Sequence, residues 1–240
     1  GANRQVTGSR YLIETPALRA LDDCGMFQER NFLDRNWETC QLPPAKIDEL
    51  LVTHAHLDHC GLLPRLVREG FRGKIITTAA TADLARVMLA DSAHIQEMDA
   101  RWMTKKNLRA GNETVVEPLY TVEDAIASIP FFEKKRYGET YAIDSVIRYR
   151  FCDAGHILGS GTLELWYRND PDRKIVFSGD IGKKGNPIVQ DPRHSAEADY
   201  VVVESTYGNR LHKGAEDSLE ELADAVRTTF KRGGNVFIPS

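Results

Sequence analysis

Three histidines and an aspartate fall within six positions of this 240-residue sequence, in the run His54-Ala-His56-Leu-Asp58-His59. In an extended segment, residues two apart project to the same side, so His54 and His56 can hold one metal ion together. Asp58 and His59 follow as the chain turns toward a helix, and they can face a second ion nearby. Imidazole nitrogen and carboxylate oxygen are the donors that zinc accepts. A lone histidine is more often a core or surface residue than a ligand. Four such groups this close together, between a strand and a helix, are hard to read as packing alone.

Two later motifs offer more donors. Asp153-Ala-Gly-His156-Ile-Leu-Gly159 and Ser178-Gly-Asp180-Ile-Gly182 each place a candidate ligand in a glycine-flanked loop after a strand. Glycines let the backbone bend sharply there. Alone, either motif reads equally well as an ordinary turn. With the first run they complete one shell of His54, His56 and His156, with Asp180 bridging to a second ion held by Asp58 and His59. The other histidines rate lower: His94 in a helix, and His194 and His212 in polar loops, read as structural or solvent-facing. Cys60 reads as core.

The elements around these motifs follow from periodicity. Tyr11 to Ile13 and Leu18 to Leu21 read as short strands, and Glu49-Leu-Leu-Val-Thr53 as a buried strand that delivers the chain to His54. Residues 28 to 46 read as a surface excursion. Helical spacing covers Gly61 to Glu69, with Gly70 as a stop, and Ala82 to about Met98. Residues 101 to 120 are polar and read as a loop or lid, and Thr121 as a helix cap before Asp124. Lys74 to Thr78, Val146 to Phe151, Thr162 to Tyr167, Lys174 to Phe177, Tyr200 to Val203 and Asn235 to Ile238 read as strands. Asp217 to Lys231 reads as an amphipathic helix. This order implies a sheet-on-sheet core flanked by helices, with the site built from loops at one sheet edge. A purely parallel, doubly wound sheet fits less well, because residues 141 to 178 read as a meander.

Composition narrows the class. At 42% hydrophobic and 28% charged, the sequence is that of an ordinary globular chain, and no apolar run is long enough to span a bilayer. Cys24, Cys40, Cys60 and Cys152 form no Cys-x-x-Cys pair, which points to a reducing cytoplasm. The net charge of −4 gives no global basic footprint for nucleic acid. Lys105-Lys106, Lys134-Lys135-Arg136, Lys183-Lys184 and Lys231-Arg232 remain as local clusters, each of which reads first as a solvated surface.

Asp23, the His54–His59 run, His156 and Asp180 together resemble the motifs of the metallo-β-lactamase superfamily. Val6-Thr-Gly-Ser9, Asp23-Cys-Gly25, Ala154-Gly-His-Ile-Leu-Gly-Ser160 and Val203-Glu-Ser-Thr-Tyr-Gly208 are similar to its β-CASP branch. That branch includes ribonuclease J and the cleavage and polyadenylation endonuclease. Asp91-Ser-Ala-His94 and Leu119 to Asp124 resemble its bacterial and archaeal members. The likeness runs from Asn3 to Ser240.

The resemblance implies an α/β (α+β) fold, the metallo-β-lactamase αββα sandwich, over residues 1–208, with the start of an inserted β-CASP domain at 209–240. It implies two Zn2+ ions per site and hydrolysis of RNA phosphodiesters, endonucleolytic or 5′–3′ exonucleolytic, by a two-metal hydroxide mechanism. Asp58 would accept the proton of the attacking water, and Asp23 would fix the orientation of a ligand histidine. Glu204 sits at the position of the branch's motif A carboxylate and would act with a downstream histidine on the departing sugar oxygen. The substrate expected is single-stranded RNA, with no membrane partner; a homodimer of the longer protein stays open. The branch's core is longer than this chain, so the sequence reads as lacking its first strand and its return after the insert. The 240 residues alone are then expected to have little nuclease activity. A small-substrate ester or thioester hydrolase is the alternative reading, and a non-catalytic scaffold paralogue a third; the Glu204 motif and the intact ligand set weigh against them.

Overall fold

Neighbouring residues of the inner strands are buried on opposite sides, and this alternation divides the core in two. Leu50, Ile75 and Leu21 pack with Leu63, Leu66, Phe71, Ala85, Leu89 and Tyr120 in a helix-facing cluster. Leu51, Ile76 and Ala20 pack instead with Tyr149, Phe151, Leu163, Leu165 and Phe177 of a second sheet. A computed structural model describes residues 5–38, 42–168, 172–209 and 214–238; His212 and Cys40 lie outside the described residues. The chain divides into two compact units, 1–204 and 205–240.

The first unit carries two five-stranded sheets. One runs β1 (Tyr11–Glu14), β2 (Arg19–Asp22), β3 (Glu49–Leu51), β4 (Lys74–Thr78) and β5 (Phe132–Lys135). Here β1 and β2 are antiparallel, and β2 to β5 are parallel. The other contains β6 (Tyr141–Ala142), β7 (Ile147–Asp153), β8 (Gly161–Tyr167), β9 (Arg173–Phe177) and β10 (Tyr200–Val202). β6 to β9 form the expected antiparallel meander, and β10 adds in parallel to β9. The helices α1 (Leu57–Cys60), α2 (Leu63–Arg68), α3 (Ala79–Arg109) and α4 (Val122–Ser128) contribute to the helix-facing cluster, giving helix, sheet and sheet layers. The second unit holds α5 (Ala215–Lys231).

Three expectations change. α3 runs to Arg109, through the first half of the segment read as a loop. Its C-terminal half is polar because it stands in solvent, so periodicity fades while helix-forming residues continue; Gly111, at φ +75°, follows the end of the helix. Phe132–Lys135 is an edge strand whose charge hid it; Lys135 pairs with Thr78 in a parallel register. Residues 235–238 form no strand, and Val236, Phe237 and Ile238 are exposed. The cap at Thr121 forms a full capping box with Asp124.

Both sheets aim strand ends at one edge. β7 and β9 share a direction through the intervening β8, and the loops after β2, β3, β7, β9 and β10 carry Asp23, His54, His156, Asp180 and Glu204. Thr53 O accepts from Gly161 N at 2.8 Å, joining the sheets at that edge. The turn after β2 is clamped to α1: Cys24 N donates to His59 O and Met26 N to Leu57 O, each at 2.8 Å. A Cβ on Gly25 would lie 1.6 Å from Asp58 O, so only glycine permits this approach. Gly25→Ala should therefore lower stability by about 3 kcal/mol, read as a fall in the urea midpoint; an unchanged midpoint would show that the clamp is dispensable.

The outward face of the second sheet carries a buried charge network. Glu164 accepts from Lys174 Nζ at 2.6 Å, Ser195 Oγ at 2.6 Å and the Arg150 guanidinium. Burial alone would raise its carboxyl, but the bonds from Lys174, Ser195 and Arg150 outweigh it and hold the group at about 2. A carboxyl depressed on folding stabilises fully above its ordinary value near 4.5 and loses that stability as pH falls toward 2. Glu164→Gln should accordingly flatten the acid limb of stability between pH 4.5 and 2, measured by denaturant titration across that range.

Candidate metal centre

The site begins at Asp23, the one described non-glycine residue with positive φ, at +60°. Aspartate tolerates this left-handed backbone better than most side chains, and the turn points its carboxylate inward beneath β3. Asp23 Oδ1 accepts from Thr53 N at 2.9 Å, and Asp23 Oδ2 lies 2.6 Å from His59 Nδ1. Thr53 Oγ1 lies 3.0 Å from both carboxylate oxygens and 3.0 Å from His54 Nδ1. With its single hydrogen committed to Asp23, that hydroxyl accepts from His54 Nδ1–H. Both histidines therefore carry Nδ1–H toward the interior and turn Nε2 toward the opening.

His56 leaves the strand direction as α1 begins, and its Nδ1 sits 3.0 Å from His54 Nε2. His156 arrives from the loop after β7, with Nε2 at 3.2 Å from His56 Nδ1. Ser160 holds that loop by accepting from His156 N at 3.0 Å, and Gly155 supplies its turn at φ +64°. Thr78 and Thr81 anchor the same loop to the start of α3 through Gly159 O, at 2.6 and 2.8 Å. Asp180 stands between two sets of donors. Its Oδ2 lies 3.6 Å from His54 Nε2 and 3.5 Å from His156 Nε2, while Oδ1 lies 3.3 Å from His59 Nε2. Asp58 Oδ2 completes the second set, 3.7 Å from His59 Nε2.

Two groups of donors result: His54, His56, His156 and Asp180, and Asp58, His59 and Asp180. Within each, the donor atoms all lie within 4.8 Å of one another. The chemistry of this set fits divalent cations. Three imidazole nitrogens converge where hydrogen bonds among themselves cannot satisfy all their lone pairs, and carboxylates supply the negative charge.

Electrostatics separates the histidines. Burial drives His54 down to about 4, against the pull of Asp180, so its imidazole is neutral. His56 is also lowered, by burial and then by His156. Burial opposes charge on His59 too, but Asp23 and Asp180 on either side outweigh it and hold the ring at about 11. Burial raises the Asp58 carboxyl, with His59 acting against it. Asp180 is held far below the ordinary carboxylate range because His54 and His59 overcome the cost of its burial. Burial first, and then the neighbouring Asp23, push the Asp22 carboxyl well upward.

Glu204 follows β10, its N–H donating to Ser178 Oγ at 3.0 Å and its Oε1 accepting from Ile181 N at 2.7 Å. It is thus fixed against the segment that carries Asp180. The six candidate ligands from His54 to Asp180 gather at this edge with Asp23 and Glu204, whereas His94 and His194 are exposed and outside both donor groups. Sequence reasoning missed Thr53, whose position before the first histidine was the available signal. It also missed an apolar recess of about 410 Å³ beside His56 and His156, lined by Leu84, Met88, Ile157, Leu158 and Ile188 among others. Leu84 and Met88 belong to α3, and only folding brings them there.

Two overlapping His/carboxylate clusters at the loop edge of a two-sheet core form a candidate site for divalent metal ions. The metallo-beta-lactamase superfamily model matches residues 5–124 of the chain. Over its whole length the chain is similar to ribonuclease TTHA0252 of Thermus thermophilus, at 33% identity across 50% of that protein. It is likewise similar to the RNase J-like protein of Methanocaldococcus jannaschii, 31% across 49%, and to that organism's transcription termination factor FttA, 29% across 36%. The chain thus spans about a third to a half of the curated relatives it matches. It belongs to the metallo-beta-lactamase superfamily, in the β-CASP branch of RNA-processing proteins. No helix of the described residues is long and apolar enough to cross a membrane.

With its ring held near 11, His59 carries a proton on Nε2 at pH 8, and a cation binding there must displace it. His54, near 4, has none to lose. Divalent-metal titration of the chelator-stripped chain at pH 8 should release about one proton from this pair, read by calorimetry in buffers of different ionisation enthalpy. Buffer-independent heats would contradict the assigned charge of His59.

Proposed function

We propose that this chain carries the metal centre of a zinc-dependent ribonuclease, with His54, His56, His156 and Asp180 holding one zinc ion and Asp58, His59 and Asp180 a second. The observation that carries this reading is the division of Asp180, one oxygen facing each donor group. A carboxylate so placed could serve two ions at once, and ions held there would stabilise the attacking and leaving oxygens of an in-line displacement at phosphorus. Bound there, the ions act as Lewis acids toward a phosphodiester and lower the pKa of water.

The chain's own residues have distinct tasks. Asp23 orients His59 and, through Thr53, His54. Asp58, with its carboxyl raised by burial, accepts the proton of the attacking water. Glu204, tied to Ile181 N, helps return a proton to the departing sugar oxygen. Single-stranded RNA is the substrate, cut endonucleolytically or from the 5′ end. The names of the relatives in Thermus and Methanocaldococcus support RNA over a small ester. Residues 1–208 form the metallo-β-lactamase domain and 209–240 belong to a β-CASP domain, a reading supported by the separate compaction of 205–240. Free Cys24, Cys60 and Cys152 accord with a reducing cytoplasm.

Elemental analysis should find two zinc ions per chain, falling to one or fewer in Asp180→Asn. RNA cleavage by the protein containing this chain should be abolished by EDTA and fall at least ~100-fold in the same variant, while thioesters stay intact. Zinc content unchanged in Asp180→Asn would overturn the shared-ligand assignment, and thioester turnover without RNA cleavage would overturn the substrate.

A further inference from the structure

The recess beside His56 and His156 is larger than metal binding needs. Its volume of about 410 Å³ falls within the roughly 300–1,000 Å³ of sites that enclose small organic groups. It lies wholly within the unit 1–204. Leu84 and Met88 of α3 form one wall, and Ile188 of the loop after Asp180 forms another. Among the described residues no charged side chain lines it, and Asn186 is its one polar side chain besides the two histidines. Ile188 is 77% exposed and Leu158 53%, so aliphatic surface faces water directly beside the candidate metal ligands. Apolar surface left open at such a place marks a binding site.

The walls are held in a fixed relation to His156. The loop 182–193 is fastened to the His156 turn at both ends: Gly182 N donates to Ala154 O and Arg193 N to Asp153 O, each at 2.8 Å. Gly185 N donates to Asp191 Oδ1 at 2.7 Å, which closes the loop on itself. A Cβ on Gly155 would lie 2.6 Å from Gln190 O, so the loop rests on the turn itself. Across the recess, Thr78 and Thr81 tie the start of α3 to Gly159 O. A cavity built this way is preformed, and its occupant spends little free energy ordering it.

Chemistry selects the occupant, given the ribonuclease reading on which this inference rests. Of the three parts of an RNA strand, phosphate is charged and ribose presents hydroxyls. Buried here, either would leave polar groups unpaired. A base has apolar faces and hydrogen-bonds at its edge, and in a single strand it can splay away from its neighbours. Asn186 Oδ1 already accepts from Ile188 N at 2.9 Å, which leaves its NH2 group to donate to an acceptor on that edge. A purine withdraws more ring surface from water than a pyrimidine, at about 25 cal/mol per Å². We propose that the recess between α3 and the loop 182–193 holds the base of a nucleotide joined to the scissile phosphate, a purine in preference to a pyrimidine, with Leu84, Met88 and Ile188 packed on the base and Asn186 at its edge. None of these four residues belongs to either donor group.

The test offers the zinc-loaded protein containing this chain a set of single-stranded RNA oligomers, each made abasic at one position. Removing the base at one position fixed relative to the cut should lower kcat/KM about tenfold, and replacing a purine there by a pyrimidine about threefold. Ile188→Asn puts a neutral polar group in the recess, and Met88→Trp fills it. In either variant the abasic penalty should shrink to about twofold, because the site the base used is gone. A flat abasic scan, or a penalty that stays tenfold in both variants, would overturn the proposal. Binding is read separately by saturation-transfer NMR of adenosine with the metal-free protein, ribose serving as the control. The base protons should be saturated by the parent and less so by Ile188→Asn; no saturation by the parent would also count against the recess. Adenosine binding that depends on Ile188, in a protein that cuts no RNA, would uphold the recess as a base site and refute the ribonuclease reading instead.

Discussion

The carboxylate of Asp23 ties the site to the fold. Held by a left-handed turn at the end of β2, it takes hydrogen bonds from Thr53 at the end of β3 and from His59 in α1. The turn after β2 is thereby fixed to both ends of the segment from Thr53 to His59, thirty or more residues on, and two imidazoles are turned with the same nitrogen outward. Because Asp23 is 1% exposed, removing its partners would leave a charge in the core, so the network holds as a whole or not at all. The clamp of residues 24–26 on α1, which Gly25 alone allows, keeps that carboxylate in place.

Around this anchor the two sheets have divided roles. The first supplies the strand end from which His54, His56, Asp58 and His59 emerge; the second supplies His156, Asp180 and Glu204. The donor groups exist only because the sheets share one edge, joined there by Gly161 N and Thr53 O. Their electrostatics reflects this mixed origin. Carboxylates from both sheets hold His59 charged, while His54, deeper in the core, is neutral. The result is a compact set of imidazole and carboxylate donors drawn from both sheets.

α3 links the centre to the surface. Its first turn braces the His156 loop through Thr78 and Thr81, its next turns line the recess beside the histidines, and its outer half stands in solvent. One helix thus positions a candidate ligand at one end and stands in solvent at the other.

The sequence by itself determined the donor types and their order. His54 to His59, His156 and Asp180 were legible because so many titratable groups at such spacing between a strand and a helix have few packing explanations, and because glycines flanked the later two. It also determined most strands, the Thr121 cap and the meander, all of which rest on local periodicity and turn chemistry. Tertiary structure alone decided which oxygen of Asp180 faces which donor group, that Thr53 sets the tautomer of His54, and that Leu84 and Met88 flank the site. These depend on contacts between residues tens of positions apart, which no local pattern records. It also decided the length of α3 and the strand at Phe132–Lys135, since a solvent-facing helix end and a charged edge strand are stabilised by neighbours and not by their own hydrophobic period.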